Sequence, residues 1–170
     1  MEQVFCELRF VEARKLQGVA IRYNTVGTTP WGTREQFQPG AFDDVSGLDV
    51  KMNLMHQRQE MIARTGAGGL VLIDSPDALM VEAELPQTRA ADDALVMVRN
   101  GMLRGLSLGF VATEERYEMN TRNIIKAKLD HIGVVDDPAY PDSYVEARRL
   151  EIREIGAEIK MIRTIFKPWL

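Results

Sequence analysis

Cysteine is nearly absent: the 170-residue chain has one, Cys6. A single thiol cannot close an internal disulfide, so no disulfide framework is expected, and a reducing compartment fits. Cys6 falls in a predicted first strand, far in sequence from any histidine, and reads as a buried structural thiol rather than a nucleophile. Histidine is almost as scarce, with only His56 and His131. Cations are not in excess either. The chain carries 21 Lys and Arg against 25 Asp and Glu, a formal net charge of -4. That removes the basic footprint of nucleic-acid binders. No apolar run approaches the roughly 20 residues that span a bilayer. Met1–Cys6 has no basic stretch followed by an apolar one, so no secretory signal is expected.

What is present is ordinary globular material. With 45% hydrophobic and 27% charged residues, the chain has the composition of a soluble domain with a sizeable core. No repeat, low-complexity segment or second core-forming domain is visible. Val4–Val11 and Gln17–Tyr23 predict a hairpin through Ala13-Arg14-Lys15. Asn24–Gly40 reads as a long loop packed by Trp31 and Phe37, followed by a short helical turn at Gly40–Val45. Leu48–His56 alternates as a strand, with Val50, Met52, Leu54 and His56 on one face. Leu70–Asp74 and Ala78–Leu85 predict a second hairpin around Ser75-Pro76-Asp77. Thr88 reads as the N-cap of a helix with the stripe Ala91, Leu95, Val98 and Met102, ended by Gly101. Val111–Thr121 reads as a strand end and exposed turn, and Ile124–Val135 as the next strand. From Tyr144 the spacing of Ile152, Ile155, Ile159, Ile162 and Phe166 predicts an amphipathic helix that needs a surface to bury against.

The stretch that organises these elements is Met102–Phe110. Leu106, Leu108 and Phe110 alternate with Gly105, Ser107 and Gly109. One face suits a core. The other carries a single hydroxyl between two glycines, a cleared lane in which an extended peptide could lie. A serine packed under a loop would look the same, so the histidines decide the weighing. His131 shares its strand face with Gly133, while Asp130, Ile132 and Val134 point the other way. Serine nucleophiles need a base and a group that orients the base. Ser107, His56 and His131 can fill those three roles from three strands. A zinc site from the two histidines with Asp130 or Glu60 is the competing chemistry, but the spacing matches no compact zinc motif.

Four segments in order carry a resemblance: Glu35–Phe42, Asn53–His56, Gly101–Phe110, and Leu129–Val135 with Pro138–Pro141. Together they span about Gly18 to Val145 and resemble the prohead maturation proteases of tailed bacteriophages, related in fold to the herpesvirus assemblins. The resemblance implies a mostly β fold with α elements, an antiparallel β-barrel of the assemblin type with flanking helices. It implies a protease domain over 1–145 and the amphipathic helix over 146–170, packed on the barrel or on a partner. It makes Ser107 the nucleophile and His56 the general base. His131 stands where a glutamate is common in the phage branch, which looks like the Ser-His-His arrangement of assemblins. The implied activity is a serine endopeptidase of capsid maturation, working in the assembling prohead within the host cytoplasm. Its substrates would be scaffold or the scaffold-like segment of the capsid protein, and itself. Self-association as a dimer is expected, with no cofactor, metal, nucleic acid or membrane. The alternatives are a non-catalytic assembly protein that keeps the fold, and a metal-dependent hydrolase.

Overall fold

Alternating aliphatic and polar residues build most of the chain into strands. The computed structural model describes residues 14–29 and 31–147. The strands are β1 (Lys15–Arg22), β2 (Gly27–Thr28), β3 (Arg34–Phe37), β4 (Lys51–Leu54), β5 (Met61–Arg64), β6 (Leu70–Asp74) and β7 (Ala78–Glu84). After helix α1 (Arg89–Arg99) come β8 (Gly105–Glu118), β9 (Thr121–Val135) and β10 (Tyr144–Ala147). They form two sheets, one ordered β10-β1-β7-β6 and one ordered β2-β3-β9-β4-β5 with β8 also on β9. The fold is therefore mostly β with one helix, and no closed barrel forms among the described residues. The predicted strand 4–11 and the predicted helix at 152–166 lie outside them.

The second sheet is centred on β9. Antiparallel β8 covers it from Gly105↔Val135 to Glu118↔Thr121. Parallel β3 pairs with its first residues and parallel β4 with its last, Arg34↔Thr121 and Lys51↔His131. A sheet expected to be antiparallel thus holds two parallel ladders. The residues between β4 and β9 supply the long crossover that parallel neighbours require. Leu106, Met52, Ile132 and Val134 are fully buried where these strands meet. Each such side chain contributes roughly 1.5–3 kcal/mol by leaving water.

The helix follows its sequence signals. The Thr88 hydroxyl accepts a hydrogen bond from the Ala91 N–H at 3.4 Å, and Gly101 takes a left-handed φ of 71° after the end. Ala91, Ala94, Leu95 and Val98 are buried, but Met102 lies beyond the turn at Gly101 and is exposed. Other expectations change. β8 continues as strand through Glu118, because its partner β9 is equally long and supplies ladder bonds that local propensity does not register. Tyr144–Ala147 is strand rather than helix, since it completes an edge on β1. Residues 40–45 make turns without a helix. Phe37 is buried in the core, whereas Trp31 is exposed and packs no loop.

Candidate active site

Ser107, Gly109, His131 and Gly133 form a block on two adjacent strands. Ser107 is the cross-strand partner of Gly133, and Gly109 of His131. Directly opposed residues point their side chains to the same face. A glycine thus lies opposite each of Ser107 and His131, and the space is used. A β-carbon on Gly133 would sit 2.9 Å from His56 Cε1, so the His56 ring rests on the strand backbone there. The His131 ring leans across to cover Gly109 in the same way, and Pro138 covers Gly105. The glycines are seats for two imidazoles and a proline rather than an open lane for a peptide. Asn53 of β4 extends the Ser107–Gly133 row on the other side of β9. It is buried, and its Oδ1 has no partner among the described residues.

His56 reaches its seat from a tight turn. β4 ends at Leu54, earlier than the expected His56, and the Gln57 N–H donates to the Leu54 carbonyl at 2.8 Å. Met55 and His56, the two central residues, have φ of 48° and 59°. Two left-handed residues in succession make the turn favoured by Asn-Gly pairs, here without either residue. Such backbone costs about 1–2 kcal/mol per non-glycine residue. The Met55 N–H donates to the Val134 carbonyl at 3.0 Å, which extends the β4–β9 ladder into the turn. The strain is therefore held by the element that carries Gly133, and it swings His56 over that glycine.

The two rings meet edge to face. His56 Nδ1 and His131 Nε2 are 2.7 Å apart, with centroids at 5.0 Å and planes at 81°. Beyond them, His131 Nδ1 is 2.8 Å from Asp130 Oδ2. This overturns the expectation that Asp130 faces away from His131. The register moves from Gly109↔His131 to Phe110↔Leu129, leaving Asp130 as an extra residue on β9. A bulge of this kind breaks alternation and re-aims a side chain. Among the described residues, no hydrogen bond joins the Ser107 hydroxyl to His56, and no three His, Cys, Asp or Glu side chains converge as a metal site. The ring nitrogens that face each other are engaged with each other.

Comparison with protein families matches residues 6–158 to the caudovirus prohead serine proteases. The chain belongs to this family. A search among curated proteins finds no match. In this prohead serine protease, burial and then the adjacent His131 imidazole hold the His56 pKa below its ordinary value of 6.5. The hydrogen bond with His131 holds Asp130 below the usual carboxylate range, with smaller contributions from Arg58 and Lys51. His56 is thus biased toward the neutral imidazole and Asp130 toward the carboxylate, the forms a base and a hydrogen-bond acceptor need.

The strand that carries Ser107 is anchored from behind. The Leu106 N–H donates to Ser143 Oγ at 2.8 Å, while that oxygen lies 2.7 Å from the Leu106 carbonyl and 3.0 Å from that of Val19. Ser143 is buried and ties β8 to β1 immediately beside Ser107. Sequence reading passed over Ser143, and it turned Asp130 away from His131. Nothing near Ser143 marks it. For the bulge that re-aims Asp130 the one signal was an aspartate inside a strand, a residue type depleted there.

Proposed function

We propose that this serine protease of phage capsid maturation uses Ser107 as nucleophile, His56 as general base and His131 as the residue that orients His56. The observation that carries the reading is the 2.7 Å approach of His56 Nδ1 to His131 Nε2 over Gly133, the cross-strand partner of Ser107. With Nδ1 engaged by His131, His56 has Nε2 left for the Ser107 proton. Ser107 Oγ attacks the scissile carbonyl, its proton passes to His56 Nε2, and the resulting imidazolium returns a proton to the leaving amine. Deacylation repeats the sequence with water.

The substrates are scaffold or the scaffold-like segment of the capsid protein, and the protease itself, cleaved within the assembling prohead. The same proposal includes the dimer and the assemblin-type barrel. The test is co-expression with the phage's capsid and scaffold proteins. Ser107→Ala should abolish trimming of both while leaving the circular dichroism spectrum unchanged, because it removes one hydroxyl that no described residue binds. A serine-directed phosphonate should label wild type at Ser107 only. Trimming at the wild-type rate by Ser107→Ala refutes the assignment.

A further inference from the structure

A histidine pair has a direction, and two imidazoles alone do not choose it. Each neutral ring carries one proton on one of two nitrogens, and the bond made by one nitrogen decides the state of the other. His56 and His131 share a single hydrogen bond between Nδ1 and Nε2. If His56 donates, its Nε2 holds a lone pair that can accept the Ser107 proton. If His131 donates, His56 carries its proton on Nε2 and cannot act as a base toward Ser107. Both orientations satisfy the 2.7 Å contact equally. Something outside the pair must break the tie.

We propose that Asp130 is the positioning residue that sets this direction. The inference rests on the assignment of Ser107, His56 and His131 above. A carboxylate is an acceptor only, so its contact with His131 Nδ1 at 2.8 Å requires the proton to be on Nδ1. His131 Nε2 then has a lone pair and accepts from His56 Nδ1–H, which leaves His56 Nε2 free to accept from Ser107. Protons are placed in one order along Asp130, His131, His56 and Ser107, and none has to travel along the chain. During acylation the Ser107 proton moves to His56 Nε2, and His56 becomes the imidazolium. His131 stays neutral between that cation and the Asp130 anion. The carboxylate supplies, at one remove, the negative charge that a pair of imidazoles lacks.

The backbone is built for this contact. The bulge at Asp130 is what brings its carboxylate to the histidine face, since regular alternation would turn it to the opposite side. Its low pKa keeps it an acceptor through the neutral range. The charged or titratable groups that bear on Asp130 are His131 beside it, Lys51 on β4 and Arg58 in the loop after the His56 turn. Both cations stabilise the carboxylate. Asp130 itself is largely exposed at 64% of its side-chain surface. Solvent screening therefore makes its effect smaller than the roughly 10⁴-fold of a buried triad carboxylate.

The test uses the untagged 170-residue chain, in which the only histidines are His56 and His131. Ring ¹⁵N shifts are recorded at pH 8, and kcat/KM on a capsid-derived peptide is measured across pH 5 to 9, for wild type, Asp130→Ala and Asp130→Glu. Wild type should show His131 protonated at Nδ1. Asp130→Ala should move that proton toward Nε2 and lower kcat/KM about tenfold or more on the neutral plateau. Asp130→Glu, which keeps an acceptor, should recover part of both. Circular dichroism verifies that each variant is folded. If either the His131 tautomer or kcat/KM of folded Asp130→Ala stays as in wild type, the proposal is overturned. Ser107→Ala and His131→Ala run alongside. If they retain wild-type activity, the underlying assignment fails instead, whereas their loss with an unaffected Asp130→Ala sinks only the role of Asp130.

Discussion

Replacing Gly133 by alanine separates activity from stability in a direction that follows from the packing. Gly133 lies in β9 with no left-handed φ, so the backbone accepts alanine. Alanine in place of a strand-interior glycine favours folding by roughly 0.5–1 kcal/mol. The added methyl would meet the His56 ring first, at 2.9 Å from Cε1, 3.0 Å from Nδ1 and 3.1 Å from Nε2. Ordinary contact begins near 3.4 Å, so the ring has to withdraw by about 0.5 Å. Because the nearest obstacle is the far end of one side chain on a turn, the fold yields cheaply. The site does not. Lifting the ring stretches the 2.7 Å contact with His131 and moves Nε2 relative to Ser107. A misplacement of 1 Å costs about 10² in rate, so half of that costs on the order of tenfold. The assay pairs kcat/KM on a capsid-derived peptide with the thermal midpoint. A lowered kcat/KM with an equal or higher midpoint is expected. Undiminished kcat/KM would show that the position of His56 over Gly133 is unrelated to turnover.

Two further outcomes follow from the same geometry. Ser143→Ala strips the Leu106 N–H of its partner in a buried setting and should destabilise the protein by about 1–3 kcal/mol; unchanged urea denaturation refutes the anchoring role of that hydroxyl. The acid limb of kcat/KM should have its midpoint below 6.5, because burial and His131 both disfavour the charged form of His56. The same depressed pKa means that the unfolded chain binds the His56 proton more readily, so this group's contribution to stability is full above 6.5 and is lost as pH falls from 6.5 through the folded pKa. An acid-limb midpoint above 6.5 contradicts the cause assigned to the shift.

The parts of the site that were legible in the sequence are those governed by strand alternation. Ser107 between Gly105 and Gly109, and His131 two residues from Gly133, share faces as period-two geometry requires, and Thr88 and Gly101 bound the helix as their chemistry suggests. The misses are places where a partner overrides the local rule. Asp130 was placed on the wrong face because a bulge is set by the register with β8, which no single strand displays. Met55 and His56 lack the Asn-Gly signature of their turn, so the pattern of Leu48–Leu54 ran on into His56 as strand. Residues 113–118 are polar and exposed, and the length of β9 explains why they remain in a ladder. Tyr144–Ala147 carries no strong signal, and its strand exists because β1 offers an edge.

The way β9 is flanked also dictates when the site comes into being. Its ladder with β8 closes a hairpin of neighbouring residues, which is the sort of contact a chain makes early. His56 arrives only with β4, and it lies 75 residues from His131. Closing so long a loop has its entropy cost before any contact repays it, so the parallel β4–β9 pairing belongs to the late part of folding. The serine and one histidine are thus assembled on the hairpin before the histidine that would take the proton is delivered. With His56 as the proposed base, a newly made chain would be hydrolytically silent until that pairing forms. Refolding followed by peptide cleavage should accordingly lag refolding followed by far-ultraviolet circular dichroism.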